Sequence, residues 1–397
     1  MKYLPSYLLA LLILLSASNA ASEVTNQYLN QALHASPYQL ERITAESSWF
    51  DKPELRYSGS DEDEHGIAFR FQPRFAPQRL AENRIIDLLN HRQAHALGAR
   101  LNDELKPRYH ALIELIETYN ELAYLEQKVV LDQQKLALNR SLAETEAFRI
   151  ADLQSAEFEY HSNRRLLDQF VKRLNFRLRG FTGIPADLLE EFLSTWSQQV
   201  SDWGSFIGTG NQLIHLVDSD QFDDAAGRVD YQLARQKLSL ARSDSASWLE
   251  FVELKLVDRP SGEQEATLAI SIPLGRNDFS ISQRIAEVNR ANLSLQGNRL
   301  DISRSITGSV AELEWMQDQA MILKSGETLL KQQYEKLRSI AQPAVALKLK
   351  SEILSYQNEL RRLHIRGLRG YIELLHLAGY LAKKPLTNWL LRTQPKL

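Results

Sequence analysis

Apolar and polar positions along this chain follow two periods in turn, and the succession is run through twice. The first period is two residues. In Ser48 to Tyr57 and again in Ser247 to Leu256, Leu55 and Tyr57, or Val252, Leu254 and Leu256, fall on one face. Glu54 and Arg56, or Glu253 and Lys255, fall on the other, which predicts strands with one apolar side. After a polar break each run is answered by a second: Ile67, Phe69 and Phe71 before Pro73, and Leu268, Ile270 and Ile272 before Pro273. Proline cannot donate to a ladder, so these prolines mark strand ends. Two β-hairpins follow, about 48–73 and about 247–273. Their spacing of about 200 residues predicts a tandem duplication.

The second period is helical. From about Ala76 to about Ser141 no turn cluster interrupts the chain. Tyr109, Ile116, Ala123, Val130 and Ala137 form one seven-residue series, with Leu105, Leu112 and Tyr119 beside it. This predicts a helix of about 65 residues, roughly 100 Å long at 1.5 Å per residue, kinked at Pro107. A shorter return helix runs from near Phe148 to Phe181-Thr182-Gly183, where Gly183 suits a C-cap and Pro185 forbids continuation. The second half replays the pattern. Val288, Leu295 and Ile302, then Ile306, Leu313 and Ala320, carry a long helix to about Ser339. Pro343 breaks it, and Val345 to Leu377 returns. Ahead of the hairpins, Leu29 to Glu46, with Ser36-Pro37 as a helix-start signal, and about Phe222 to Arg242 are expected to be helical.

The expected organisation is a signal peptide at 1–20, a first repeat at 21–183, a linker or accessory region at 184–217, a second repeat at 218–383 and a tail at 384–397. The signal rests on Lys2, a leucine-rich run from Tyr7 to Leu15, and the small residues ending Ser18-Asn19-Ala20. That run is too short for a membrane span of about twenty residues, and no later segment approaches one. A net charge of −3 offers no field for nucleic acid. With no cysteine, disulfides, cysteine-type zinc sites and a lipid-modified N-terminal cysteine are all excluded.

Four strands cannot close a barrel, and a lone four-stranded sheet leaves backbone edges that lipid does not tolerate. Several copies must therefore assemble if the hairpins enter a membrane. The aromatic residues near the strand ends, Phe69, Phe71, Phe75, Trp248 and Phe251, fit outer-membrane strands. In this arrangement the chain resembles the TolC-type outer-membrane efflux family. Leu33-His34-Ala35-Ser36-Pro37 is similar to the family's entry motif, and Asp220 to Arg242 to the matching helix of the second half. Leu178 to Gly183 and Leu374 to Gly379 are similar to its leucine-threonine-glycine helix ends.

The fold class implied is mainly α, with tandem long helical hairpins forming an α-barrel tunnel. Two β-hairpins per chain would contribute to an oligomeric outer-membrane β-barrel. The resemblance implies a homotrimer with twelve strands, placed in outer-membrane lipid with its helices in the periplasm. It would be docked by a periplasmic adaptor that is attached to an inner-membrane pump or ABC exporter. The function expected is a passive exit duct of a tripartite efflux or type I secretion system, not an enzyme. The alternative is a soluble periplasmic coiled-coil scaffold that lacks a membrane barrel.

No catalytic, cofactor-binding or metal-binding set is expected. His91 and His95 sit at i, i+4, a spacing that can bind metal, but without the carboxylate of a zinc-protease pattern they read as a solvated face. The acidic loop Ser60 to His65 reads as a solvated hairpin tip. The candidate tunnel-end or adaptor-docking residues lie at the two helix turns: Glu144, Glu146, Arg149 and Asp152 at the first, Gln342 and Pro343 at the second. Threefold repetition would make rings of such carboxylates.

Overall fold

A computed structural model describes residues 23–32, 41–44, 49–59, 65–142, 149–198, 203–218, 225–247, 249–259, 263–272, 278–338, 343–383 and 388–390. Helix α1 spans 23–32. Then follow β1 (Phe50–Gly59), β2 (His65–Pro73), α2 (Ala76–Ser141), α3 (Ile150–Leu178), α4 (Ala186–Gln198), α5 (Trp203–Asp218), α6 (Ala225–Ser245), β3 (Phe251–Asp258), β4 (Gln264–Ser271), α7 (Asp278–Arg338) and α8 (Pro343–Leu377). The chain divides into two compact units. A sheet unit takes Tyr38–Leu97 and Asp223–Asp301, and a helical unit takes Met1–Pro37, Gly98–Phe222 and Ile302–Leu397. Each unit draws on both sequence halves, because α2 and α7 begin in the first and continue into the second.

In the sheet unit the two hairpins pair with each other as one antiparallel sheet in the order β1-β2-β3-β4. Strand β1 starts at Phe50, earlier than its proline suggests. Asp51 pairs with Gln72 and Glu54 with Arg70, so Lys52 and Pro53 together oppose Phe71 in a bulge that accommodates the missing donor. At the foot of the sheet, the Gln78 side chain accepts the Phe75 N–H at 2.7 Å, the backward half of a capping box that starts α2. The same amide donates to Asp244 of α6 at 2.9 Å, and Arg74 bridges Asp51 and Glu82. Burial raises the Asp244 carboxyl above its ordinary value, against the Gln78 hydrogen bond that lowers it.

Residues 41–44 are not helical, contrary to the expectation for Leu29 to Glu46, and the helix lies earlier, at 23–32. Asn90 holds this non-helical segment. Its Oδ1 accepts the Ile43 N–H at 2.9 Å and its Nδ2 donates to the Ile43 carbonyl at 3.1 Å, so one carboxamide takes the place of a neighbouring strand.

In the helical unit α3, α2, α8 and α7 lie in that order. Between α3 and α2, Leu167 packs on Leu125 and Val129, and Asn163 donates to Asp132 at 2.7 Å. Between α2 and α8 runs a ladder of polar contacts: a hydrogen bond between His376 and Asp103, then the ion pairs Lys106–Glu373, Glu117–Arg369 and Glu121–Arg362. Between α8 and α7, Gln357 donates to Glu327, and Gly326 lies close against the Tyr356 ring. Neighbours in this order are antiparallel throughout. The stretch 184–217, expected as a linker or accessory region, holds α4 and α5, whose Phe192, Trp196, Trp203 and Phe206 belong to the main core. Phe206 stacks on Tyr371 of α8 at 4.6 Å, and Trp203 lies over Gly367, where no larger residue would fit without movement.

The helix ends follow their local sequence. Gly183 and Gly379 both take positive φ, 83° and 72°, as the C-cap expectation required. At the end of α8, Gly379 N–H reaches the His376 carbonyl and Tyr380 N–H the Leu375 carbonyl, the paired bonds of a Schellman cap. Pro343 is the first residue of α8, where its missing N–H costs nothing, and α2 remains helical through Pro107. The seven-residue series of α2 holds only in part. Tyr109 and Ile116 are buried, but Val130 and Ala137 are exposed, and Leu125, Val129 and Leu136 take the buried seam. The reason is a change of partner. Farther along, Val129 faces α3, while Val130 lines an open groove of about 460 Å³ with Lys350, Ile353 and Gln357 of α8.

Candidate functional surfaces of the sheet and the helix ends

The strand register sorts side chains into rungs that cross all four strands. Leu55, Phe69, Leu254 and Leu268 form one, and Tyr57, Ile67, Leu256 and Ala266 the next. Phe71, Val252 and Ile270 continue the same face. The opposite face carries Glu54, Arg70, Glu253 and Ala269, then Arg56, Ala68, Lys255 and Thr267. The division between apolar and polar faces is therefore complete across the central rungs.

The apolar face is uncovered. Leu254 and Leu268 sit in the middle of the sheet and are still 45% and 62% exposed, with Leu55, Ile67, Leu256 and Ile270 exposed beside them. A water-soluble sheet buries such a face, and a contiguous apolar surface of this kind marks a membrane or a partner. The polar face carries charges of both signs. Arg70 lies opposite both Glu54 and Glu253, with its guanidinium 3.5 Å from the centre of the Phe251 ring, and Arg56 pairs with Glu54 at 2.5 Å. Strands of eight to ten residues, tilted by about 40°, rise about 21 to 26 Å. That matches an outer-membrane apolar band of about 25 Å. The outer edges of β1 and β4 have no strand partner among the described residues.

At the opposite end of the helical unit from the α8 cap lie the α2–α3 and α7–α8 ends. Arg149 is the extended residue before α3 and is exposed, without a side-chain cap bond. Asp152 stands exposed in the first turn of α3, where a carboxylate favours the helix dipole, and its carbonyl accepts from Asn139 at 3.1 Å. Pro343 is exposed at the start of α8. Glu144, Glu146 and Gln342 lie outside the described residues, as does loop 60–64.

Sequence reasoning missed the buried polar junction behind these ends. Asp132, 2% exposed, takes hydrogen bonds from Asn163 of α3 and an ion pair from Lys128 at 3.1 Å, and Lys128 also reaches Ser351 of α8 at 2.8 Å. The signal available was the i, i+4 Lys128–Asp132 pair, which alone looks like an ordinary surface pair. Among the described residues no group of three or more His, Cys, Asp or Glu could hold a metal, and no helix is long and apolar enough to cross a membrane.

The chain carries a two-faced sheet, whose outer edges have no strand partner among the described residues, and long antiparallel helices. Solved structures share this fold. The outer membrane protein VceC of Vibrio cholerae matches with a TM-score of 0.55 at 14% identity, covering 92% of this chain and 96% of its own. CusC, a protein of transmembrane channel formation, matches at 0.53 and 13%, covering 92% and 88%. The CmeC outer membrane channel of Campylobacter jejuni matches at 0.52 and 10%, covering 93% and 86%. No protein-family model and no curated protein matches the sequence significantly. The chain thus has the fold of the TolC-like outer-membrane efflux channels over nearly its whole length.

Proposed function

We propose that this protein is the passive outer-membrane duct of an efflux or secretion system, not an enzyme. Three copies would contribute four strands each to a twelve-stranded barrel, with helices in the periplasm enclosing the continuation of the path. The observation that carries this reading is the sheet: one face apolar and exposed across four strands, the other polar with charges of both signs, and outer edges without a strand partner among the described residues. Closing twelve strands at this tilt gives a backbone diameter of about 24 Å, wide enough for a water-filled lumen lined by the Arg70 and Lys255 rungs. Transport down a conduit needs no nucleophile or metal, because the energy is supplied at the inner membrane. The helix ends around Arg149, Asp152 and Pro343 are the surfaces offered to a periplasmic adaptor, whose inner-membrane partner is a pump or ABC exporter.

The test is fractionation followed by conductance. Mature protein extracted from outer membranes should run as a trimer in mild detergent and open discrete conductance steps in planar bilayers. Recovery as a soluble monomer that leaves a bilayer silent would refute the duct and leave a periplasmic scaffold in its place.

A further inference from the structure

Nine histidines are spread along the chain, and only His91 and His95 stand within one helical turn of each other. Both lie well inside α2, on the stretch that belongs to the sheet unit. At about 100° per residue they are about 40° apart around the helix, with Cβ atoms about 5–6 Å apart. His91 is exposed and His95 half-buried. Neither ring has a hydrogen-bond, ionic or ring partner among the described residues. Other histidines are engaged: His65 with Tyr57, His110 with Glu373 and His376 with Asp103, while His364 packs against the Trp203 ring.

The residues on either side of His91 leave this face to the two rings. Asn90 and Arg92 project about 100° to each side of it. The Asn90 carboxamide is engaged with both backbone groups of Ile43, at 2.9 and 3.1 Å. The Arg92 guanidinium is drawn to Asp230 of α6 at 3.0 Å, so its charge is balanced there. Asp87, one turn before His91, adds a carboxylate to the histidine face. It does not form with the two histidines a three-residue group that could hold an ion, so the donor set is the two imidazoles alone.

We propose that His91 and His95 together bind one divalent transition-metal ion, of the class Cu²⁺, Ni²⁺ or Zn²⁺, with one ring nitrogen from each. Neutral imidazole suits these ions, and affinity for a given nitrogen set is greatest for Cu²⁺. Metal–nitrogen bonds are about 2.0–2.1 Å for zinc, which two rings one helical turn apart can reach from the same side. The helix is already formed, so the rings meet the ion without any refolding of the backbone. The solvated face expected from the sequence is what leaves both rings able to coordinate. Two protein donors leave the other positions to water, whereas structural sites are closed by four, so the ion here is exchangeable. The residues between the histidines are Arg92, Gln93 and Ala94, which supply no general base, so the site binds and does not hydrolyse. Chelation is complete within one chain and does not depend on the duct.

The absence of cysteine removes thiolate as a competing ligand. The full chain, purified in detergent without a polyhistidine tag, is titrated with CuCl₂, NiCl₂ and ZnCl₂ by calorimetry at about pH 7.5, where imidazole is neutral. One saturable site per chain is expected, tightest for Cu²⁺. His91→Ala and His95→Ala should each weaken it about tenfold or more, because two donors on one scaffold reinforce each other. His215→Ala, which removes a single exposed histidine of α5, should change it by less than about twofold. A chain carrying Gln93→His with His95→Ala keeps two histidines but sets them about 160° apart, and should bind no better than His95→Ala alone. Circular dichroism matching the wild type separates lost binding from lost fold. Dialysis against EDTA should remove the ion with the helix content unchanged. Absence of a saturable site in the wild type, binding that persists in both alanine variants, or equal binding by the Gln93→His, His95→Ala chain overturns the site. An ion retained through EDTA dialysis shows further ligands and overturns the two-imidazole geometry.

Discussion

Placing an arginine on the exposed rung of the sheet separates a lipid-facing surface from one that is merely unpacked. Leu254 stands at the centre of β3, between Phe69 and Leu268, on the apolar face. Thr267 of β4 pairs with Lys255 on the opposite face at nearly the same height. An arginine near the middle of the bilayer on a barrel's lipid face costs about 2–4 kcal/mol. In the proposed trimer, threefold repetition would raise that to about 6–12 kcal/mol per barrel, while the side chain of Thr267→Arg would join Arg56, Arg70 and Lys255 on the face assigned to the lumen. Per copy, Leu254→Arg should lower insertion by about 30- to 1000-fold, since each 1.4 kcal/mol is a factor of ten. Thr267→Arg should change it by less than threefold. The assay is refolding from urea into lipid vesicles, read by protease protection and by trimer mobility before heating. Equal insertion of both variants would remove the membrane assignment of this face, and failure of Thr267→Arg alone would invert it.

Other outcomes follow from the helical unit. Lys128→Ala leaves the buried Asp132 carboxylate supported by Asn163 alone, and the expected loss is about 2–4 kcal/mol per copy, seen as a lower melting temperature in detergent. Gly367→Ala sets a methyl 2.5 Å from the Trp203 ring; about 1–3 kcal/mol should be lost, with tryptophan fluorescence shifted as α5 is pushed off α8. Burial, with Lys324 nearby, lowers the His364 imidazole to about 4. The folded state then binds fewer protons than the unfolded chain, so stability is full above about pH 6.5 and declines as the pH falls toward 4. The decline is on the order of 2–3 kcal/mol. Melting at pH 7.5 and pH 5 should show it, and His364→Leu should flatten that difference.

The hairpins and long helices were legible because their periods are set locally. A strand with one apolar face must alternate, and Leu254, Lys255 and Leu256 do so whatever packs on them. A helix without turn residues must continue, and α2 does so from Ala76 to Ser141. What was not legible depends on partners distant in sequence. The non-helical backbone at Ile43 is held by a carboxamide 47 residues away, and neither Ile43 nor Asn90 announces it. The glycine-rich stretch holding Gly204, Gly208 and Gly210 reads as either a linker or a small accessory region until Trp203 and Phe206 are placed against Gly367 and Tyr371.

Val130 shows why a heptad count cannot locate a core by itself. A long helix in a layer has a neighbour on each side, and the two seams need different residues. On α2, Leu125 and Val129 serve the α3 side, while Glu117 and Glu121 serve the α8 side through arginines. An apolar residue that belongs to neither seam, as Val130 does, stays at a groove. The outer edges of β1 and β4, which have no strand partner among the described residues, pose the same requirement for a neighbour in backbone hydrogen bonds.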